Sequence, residues 1–318
     1  MRRYCVISCR SRVVRFCLLL AVVSLALSGC HDKSPATGDV VSCQFSYGEG
    51  AAQNLGLTYV YGNTAGLRPV FFFIHGGGWK EGDKSTFSAV NCEFVLRAGL
   101  LPVSVNYTLA PETIVTDRHN PVYPQNIQDI AQALRWVVDH AKEYVGDPDQ
   151  IYVVGHSAGA HLAALLVCDT RFMQQCGIAP KVVKGVILLD GGGYLNLDER
   201  RFTQIQESGT EADYYRLLHD LYQNAFGAAG SSTYWTANPA QYITSGSPTA
   251  PFLLIHGGSL YRSVPNRRFE ELLIENGIPC DRYEIVDMGH GVFLSSIGTA
   301  DTRVGDYILA FLEKYRSE

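Results

Sequence analysis

Ile151-Tyr152-Val153-Val154-Gly155-His156-Ser157-Ala158-Gly159-Ala160-His161-Leu162-Ala163 is the stretch whose reading decides the fold. Its first four residues form a short apolar run rich in β-branched side chains, the pattern of a strand buried on both faces. From Ala158 onward the residues are small and helix-forming. Gly155 and Gly159 bracket a serine between the two elements. Two glycines at this spacing let the backbone make a strained turn that lifts the Ser157 hydroxyl off the sheet edge. The N-terminus of the following helix favours negative charge developing beside it. The five-residue pattern alone is weak evidence, because a glycine-rich turn often contains a serine. In its strand–turn–helix setting it is specific.

Outward from this stretch, strand-like and helix-like segments alternate. Val40–Tyr47 and Leu55–Tyr61 read as an opening β-hairpin, and Pro69–Ile74 as a second buried strand. Leu101–Tyr107, Val183–Leu189, Phe252–Ile255 and Arg282–Val286 are further short apolar runs. Helices are expected at Phe87–Ala98, Ile127–Tyr144, Ala158–Val167, Asn266–Asn276 and Thr302–Tyr315, with Pro148 and Asp149 punctuating one return to the sheet. Such alternation argues for an α/β fold with a mostly parallel, twisted sheet and helices on both faces, whose chemistry sits at the carboxyl ends of strands. Residues 194 to about 248 break the rhythm with a dense set of aromatics. This insertion is either a cap over the site, a satellite core beneath a long loop, or both.

A second motif, His75-Gly76-Gly77-Gly78-Trp79, follows the strand ending at Ile74. Consecutive glycines expose backbone N–H groups, the donors that acyl transfer needs where an oxyanion forms. With Gly82-Asp83-Lys84, Val105-Asn106-Tyr107 and the Ser157 turn, this order of motifs resembles the hormone-sensitive-lipase-like and feruloyl-esterase-like branches of the α/β-hydrolases. The likeness runs from about residue 55 to 315. It implies the α/β-hydrolase fold, Ser157 as nucleophile, and Gly77, Gly78 and Ala158 as oxyanion donors. It also implies that His75 packs and braces its loop rather than serving as the base.

Of the nine histidines, His290 lies on the loop after the last strand with glycine on either side, where the family places its base. An imidazole can take the serine proton and return it to the leaving group. His256 reads as a strand-end packing residue, and His161 lies one turn into the helix. The acid departs from the family pattern. The segment His256-Gly257-Gly258-Ser259-Leu260-Tyr261-Arg262-Ser263-Val264-Pro265, where the resemblance expects an aspartate, holds no carboxylate. Either a dyad operates, or the acid comes from another strand, or activity is lost. Asp190, at the end of Val186–Leu189, is the leading substitute, and the order Ser157, Asp190, His290 is the one expected for the fold. Its bland alternative is to cap the Gly191-Gly192-Gly193 turn. Glu270 and Asp287 are lesser candidates.

The N-terminus reads differently from the rest. Arg2, Arg3, Arg10, Arg12 and Arg15 precede an apolar run, Phe16–Leu27, too short to span a bilayer comfortably. The run ends in Leu27-Ser28-Gly29-Cys30, which resembles the lipobox of bacterial lipoprotein signal peptides. That likeness implies cleavage after residue 29, a lipidated Cys30, a tether over 30–40 and a domain from 41 to 318. Acyl chains bury methylenes at roughly 0.8 kcal/mol each, so such a chain is held at a membrane without a spanning helix. His31 in place of aspartate leans towards the outer membrane. Loss of five arginines takes the net charge from −5 to −10, which argues against nucleic acid as a partner. In an oxidising compartment Cys168 and Cys176 are the expected pair, although connectivity is open. No metal-ligand spacing and no cofactor motif is present.

These readings converge on hydrolysis of a small carboxylic ester. A small-amide or formamide hydrolase is the alternative within enzymes. A catalytically weak surface lipoprotein that binds a ligand or partner is the alternative outside them, and the missing loop aspartate is its support.

Overall fold

Arg68–Ile74 (β4) shows how the sheet is built. Its residues from Val70 to Ile74 are all fully buried, but they divide by the two-residue period of a strand. Val70, Phe72 and Ile74 enter one core layer, while Phe71 and Phe73 enter the other. Leu101–Val105 (β5), Gly146–His156 (β6) from Ile151 onward, Val183–Leu189 (β7) and Phe252–Gly257 (β8) are likewise closed on both faces, and Cys280–Ile285 (β9) finishes the sheet. The computed structural model describes residues 4–7, 37–63, 66–195, 210–246 and 250–316.

The sheet runs Tyr4–Ile7 (β1), Val40–Ser46 (β2), Asn54–Val60 (β3), then β5-β4-β6-β7-β8-β9. β2 and β3 are the antiparallel hairpin the sequence predicts, and β3 joins β5 antiparallel. From β5 to β9 every pairing is parallel. Ala89–Arg97 (α1) and Arg303–Tyr315 (α9) cover the face that Phe71 and Phe73 enter. Gln125–His140 (α2), Ala158–Cys168 (α3) and Leu260–Glu275 (α7) cover the other. The expected α/β-hydrolase architecture is the one observed.

Several boundaries differ for identifiable reasons. β6 begins at Gly146, before Pro148, because its register against β4 slips between Asp147 and Ile151 and leaves the proline in the irregularity. α7 starts at Leu260 rather than Asn266 and carries Pro265 inside it. As the sixth residue of α7, Pro265 removes the N–H that would otherwise bond to the Tyr261 carbonyl. Cys168 and Cys176 are free thiols, contrary to the expected disulfide. Cys168 ends α3 facing the core, and the helical turn Arg171–Gln175 (α4) runs before Cys176.

Two further segments need separate statement. Tyr4–Ile7 (β1), within the expected leader, pairs in parallel with the edge strand β2. An open sheet edge offers unpaired N–H and C=O groups, and Tyr4-Cys5-Val6-Ile7 has the residue types that take them up. Cys30 and residues 31–36 lie outside the described residues. In the aromatic insertion, Thr210–Phe226 (α5) and Ser232–Thr236 (α6) are the described helices. Tyr222, Phe226 and Tyr234 pack edge-on and tilted around one another and Trp79 in the main core. Tyr214, Leu218 and Leu221, on another face of α5, line a cavity at the sheet's carboxyl end. The insertion is therefore both core and cap.

Candidate active site

The site begins with Ser157, whose φ of 56° and ψ of −119° hold it outside the ordinary regions for an L residue. Its flanking glycines are required by space. A Cβ on Gly155 would lie 2.2 Å from the Gly159 carbonyl oxygen, and one on Gly159 would lie 2.1 Å from that of Ile74. The Ser157 N–H donates to the Leu189 carbonyl at 2.9 Å, which ties the turn to β7.

Three loops bring partners to it. Ser157 Oγ and His290 Nε2 are 2.9 Å apart, and His290 Nδ1 is 2.5 Å from Asp190 Oδ2. Asp190 is nearly inaccessible and its other oxygen accepts the Gly257 N–H at 2.8 Å. Burial alone would raise the Asp190 carboxyl, but the His290 bond, the Arg262 charge and the Gly257 N–H together hold it below the usual carboxylate range. Asp190 thus spends its carboxylate on His290 and Gly257, not on capping the glycine turn that follows it. Glu270 pairs with Arg282 at 2.6 Å and Asp287 with Arg303 at 2.6 Å, so both lesser candidates are engaged elsewhere.

The N–H groups of Gly77, Gly78 and Ala158 have no acceptor among the described residues and surround the same cavity as Ser157. The glycine loop is held in shape by its return. A Cβ on Gly77, whose φ is +111°, would meet the Glu81 carbonyl oxygen at 2.1 Å. Asn106 accepts from the Lys84 N–H at 2.6 Å and donates to Asp83 at 2.7 Å. Hydrogen bonds from Ser85 and Asn106, with the Lys84 charge, outweigh the burial of Asp83 and bring its carboxyl down to about 2. His75 is fully buried, stacks on Tyr107 with centroids 4.5 Å apart, and its Nδ1–H donates to Gly76. It braces the loop.

The other histidines are spectators of different kinds. His156 stacks on His290 at 4.9 Å and donates from Nε2 to the His290 carbonyl at 3.1 Å. Burial, with His290 alongside, pushes it down to about 4, so it is a neutral donor that props the base. His161 is fully buried beneath Trp79 and donates to the Ala237 carbonyl at 3.0 Å, and burial pushes it down to about 3. His256 is buried at the end of β8 against Arg282.

Two residues escaped the sequence reading. Asn91 is buried on α1 and donates to the carbonyls of Leu294 and Ile297 at 3.1 and 3.0 Å, pinning the short helix Val292–Ser295 (α8) behind His290. A polar residue on the inward face of a predicted helix was its signal. Arg262, only 3% exposed, lies 3.5 Å from Asp190 and donates to the Tyr214 hydroxyl at 3.0 Å. No pattern marked it. The cavity these groups line holds about 700 Å³ and is lined mostly by apolar surface, as small-molecule sites are. Among the described residues no cluster of three His, Cys, Asp or Glu is placed to hold a metal, and no helix is long and apolar enough to cross a membrane.

Residues 58–273 match the BD-FAE family. The chain is 32% identical over 197 residues to the probable carboxylic ester hydrolase LipM of Mycobacterium tuberculosis, covering 60% of this chain and 41% of LipM. It is 25% identical over 273 residues to the esterase LipQ of the same organism, covering 84% of this chain and 60% of LipQ. The chain therefore spans about two fifths to three fifths of these relatives' length. Among solved structures, esterase B of Lactobacillus rhamnosis aligns with a TM-score of 0.67 at 20% identity, covering 89% of this chain and 87% of that one. The carboxylesterase EstE1 from a metagenomic library aligns with a TM-score of 0.67 at 19% identity, covering 90% and 92%.

Proposed function

The chain belongs to the BD-FAE family and has the α/β-hydrolase fold, and from that premise we propose that it is a serine carboxylesterase acting on small esters. Ser157 attacks the ester carbonyl while His290 takes its proton. Asp190 holds the imidazole in the tautomer with Nε2 towards Ser157 and stabilises the imidazolium that forms. The N–H groups of Gly77, Gly78 and Ala158 meet the oxyanion. His290 then returns the proton to the leaving alcohol, and water, activated by the same imidazole, releases the acid.

The observation that carries this reading is the unbroken contact from Ser157 Oγ through both nitrogens of His290 to Asp190. It also removes the support for a binding-only lipoprotein, which rested on the lack of a carboxylate. Nothing in the site favours a formamide over an ester. The test is release of p-nitrophenol from short acyl esters by the chain lacking residues 1–29, with Ser157→Ala as the control. Retained turnover in Ser157→Ala overturns the assignment.

Export and lipidation at Cys30, with a lean towards the outer membrane, belong to the same proposal and rest on residues 1–31 of the sequence. Among the described residues β1 pairs with β2 alone, at the sheet's edge, so its removal with the leader leaves the strands that carry the site in place. Metabolic labelling with a palmitate analogue, lost in Cys30→Ala, is the expected result.

A further inference from the structure

The segment that lacks the expected aspartate supplies a cation to the site instead. Arg262 comes from the first turn of α7 and lines the cavity beside Ser157 and His290. Its guanidinium lies against the stacked pair of Tyr214 and Tyr261, 5.6 and 5.3 Å from their centroids, which are themselves 4.0 Å apart. Arg262 Nη2 is 3.3 Å from His290 Nδ1 and 3.5 Å from Nε2. Both ring nitrogens are already committed to Asp190 and Ser157, so these contacts place a positive charge against the base rather than add a hydrogen bond.

A buried guanidinium is retained only when its charge and its donors are answered. Asp190 answers the charge in part, but both its oxygens already accept other bonds and its 3.5 Å approach to Arg262 Nε is no directed bond. Nε is buried without any acceptor, and Nη1 has none among the described residues, lying 3.3 Å from where a Gly192 Cβ would stand on the cavity wall. Lys80 and Glu81, which also line the cavity, offset each other at 3.9 Å. Arg262 is the charge left over. When His290 takes the serine proton, the matching negative charge goes to the oxyanion at Gly77, Gly78 and Ala158, while the imidazolium and Arg262 both face Asp190; an anion on Arg262 relieves the repulsion between those two cations.

We propose that Arg262 docks a carboxylate carried by the substrate, so that the enzyme selects esters with a negative charge a few bonds from the scissile carbonyl. The planar guanidinium of Arg262 suits a carboxylate, and Nη1, beside Gly192 on the cavity wall, gives it somewhere to bind. This inference rests on the esterase reading and assigns its substrate class.

The test uses pairs of esters matched in shape. On the acyl side, mono-p-nitrophenyl succinate is compared with p-nitrophenyl butyrate; on the alcohol side, 4-acetoxybenzoate is compared with phenyl acetate. In at least one pair kcat/KM for the charged ester exceeds that of its neutral partner by about ten-fold or more, the worth of one charge-assisted hydrogen bond. Arg262→Met abolishes that preference and Arg262→Lys keeps part of it. Preference for the neutral ester in both pairs by the unaltered enzyme overturns the inference without recourse to any variant. So does a preference that survives in folded Arg262→Met. Failure to cleave any ester overturns the esterase reading itself, and the inference with it.

Discussion

Asp190 and Gly257 are joined across the ends of neighbouring strands, the Gly257 N–H donating to Asp190 Oδ1 at 2.8 Å. Gly257 opens the segment in which the resemblance expected a carboxylate. The acid has instead moved one strand inward, to the end of β7, and reaches over to the place left vacant. A left-handed φ of 43° at Asp190 turns its side chain towards His290 rather than into the glycine turn. The base keeps its position; only the origin of its partner changes.

The glycines of the serine turn are expected to tolerate nothing larger. Gly155→Ala and Gly159→Ala put a methyl group about 2 Å from backbone oxygens that cannot rotate away. Overpacking of this kind costs about 1–3 kcal/mol or more. Gly289→Ala, beside the base, meets nothing nearer than Val292 Cγ2 at 3.9 Å. Thermal melts should show both turn variants strongly destabilised and Gly289→Ala close to the parent. Equal behaviour of the three contradicts the geometry.

Asn91 offers a test of how the base is held. Asn91→Ala leaves the Leu294 and Ile297 carbonyls without their buried donor, a loss of about 1–3 kcal/mol. The segment behind His290 is loosened, so kcat falls more than KM rises. A variant that loses stability but keeps kcat would confine Asn91 to a structural role.

Stability should fall on acidification, beginning below pH 6.5. His156 and His161 are pushed down to about 4 and about 3 by burial, from an ordinary 6.5, so the unfolded chain binds protons there that the folded chain does not. The free energy of unfolding therefore rises with pH through that window, and its stabilising share is lost as pH falls. Asp83, down to about 2, extends the same trend below its ordinary 3.8. Urea unfolding at pH 7, 6 and 5 should show a declining midpoint, with a shallower decline in His161→Gln. A midpoint independent of pH contradicts the neutral, buried state of both rings.

The fold was legible because its strands are continuous apolar runs and its two motifs sit where strands end. Ser157 could be named from its strand–turn–helix setting, and His290 and the oxyanion glycines from the family that the order of motifs resembles. Asp190 was legible only as a candidate, since what distinguishes it from a turn cap is a contact 100 residues away in the chain. Arg262 was not legible at all. The expected helix begins at Asn266, whereas α7 starts at Leu260 and carries Arg262 on its first turn. The aromatic insertion read two ways because α5 faces both the core and the cavity, with its outward and inward residues on one helix.

The most direct measurement is the turnover of a p-nitrophenyl ester by Asp190→Asn, with Glu270→Gln alongside. Disturbing the tautomer of a triad histidine costs about 10⁴ in kcat, so Asp190→Asn should fall by roughly that factor. Glu270→Gln should stay within a few-fold of the parent, because Glu270 is bound to Arg282. If Asp190→Asn itself stays within a few-fold, the carboxylate from β7 is not the acid of this site.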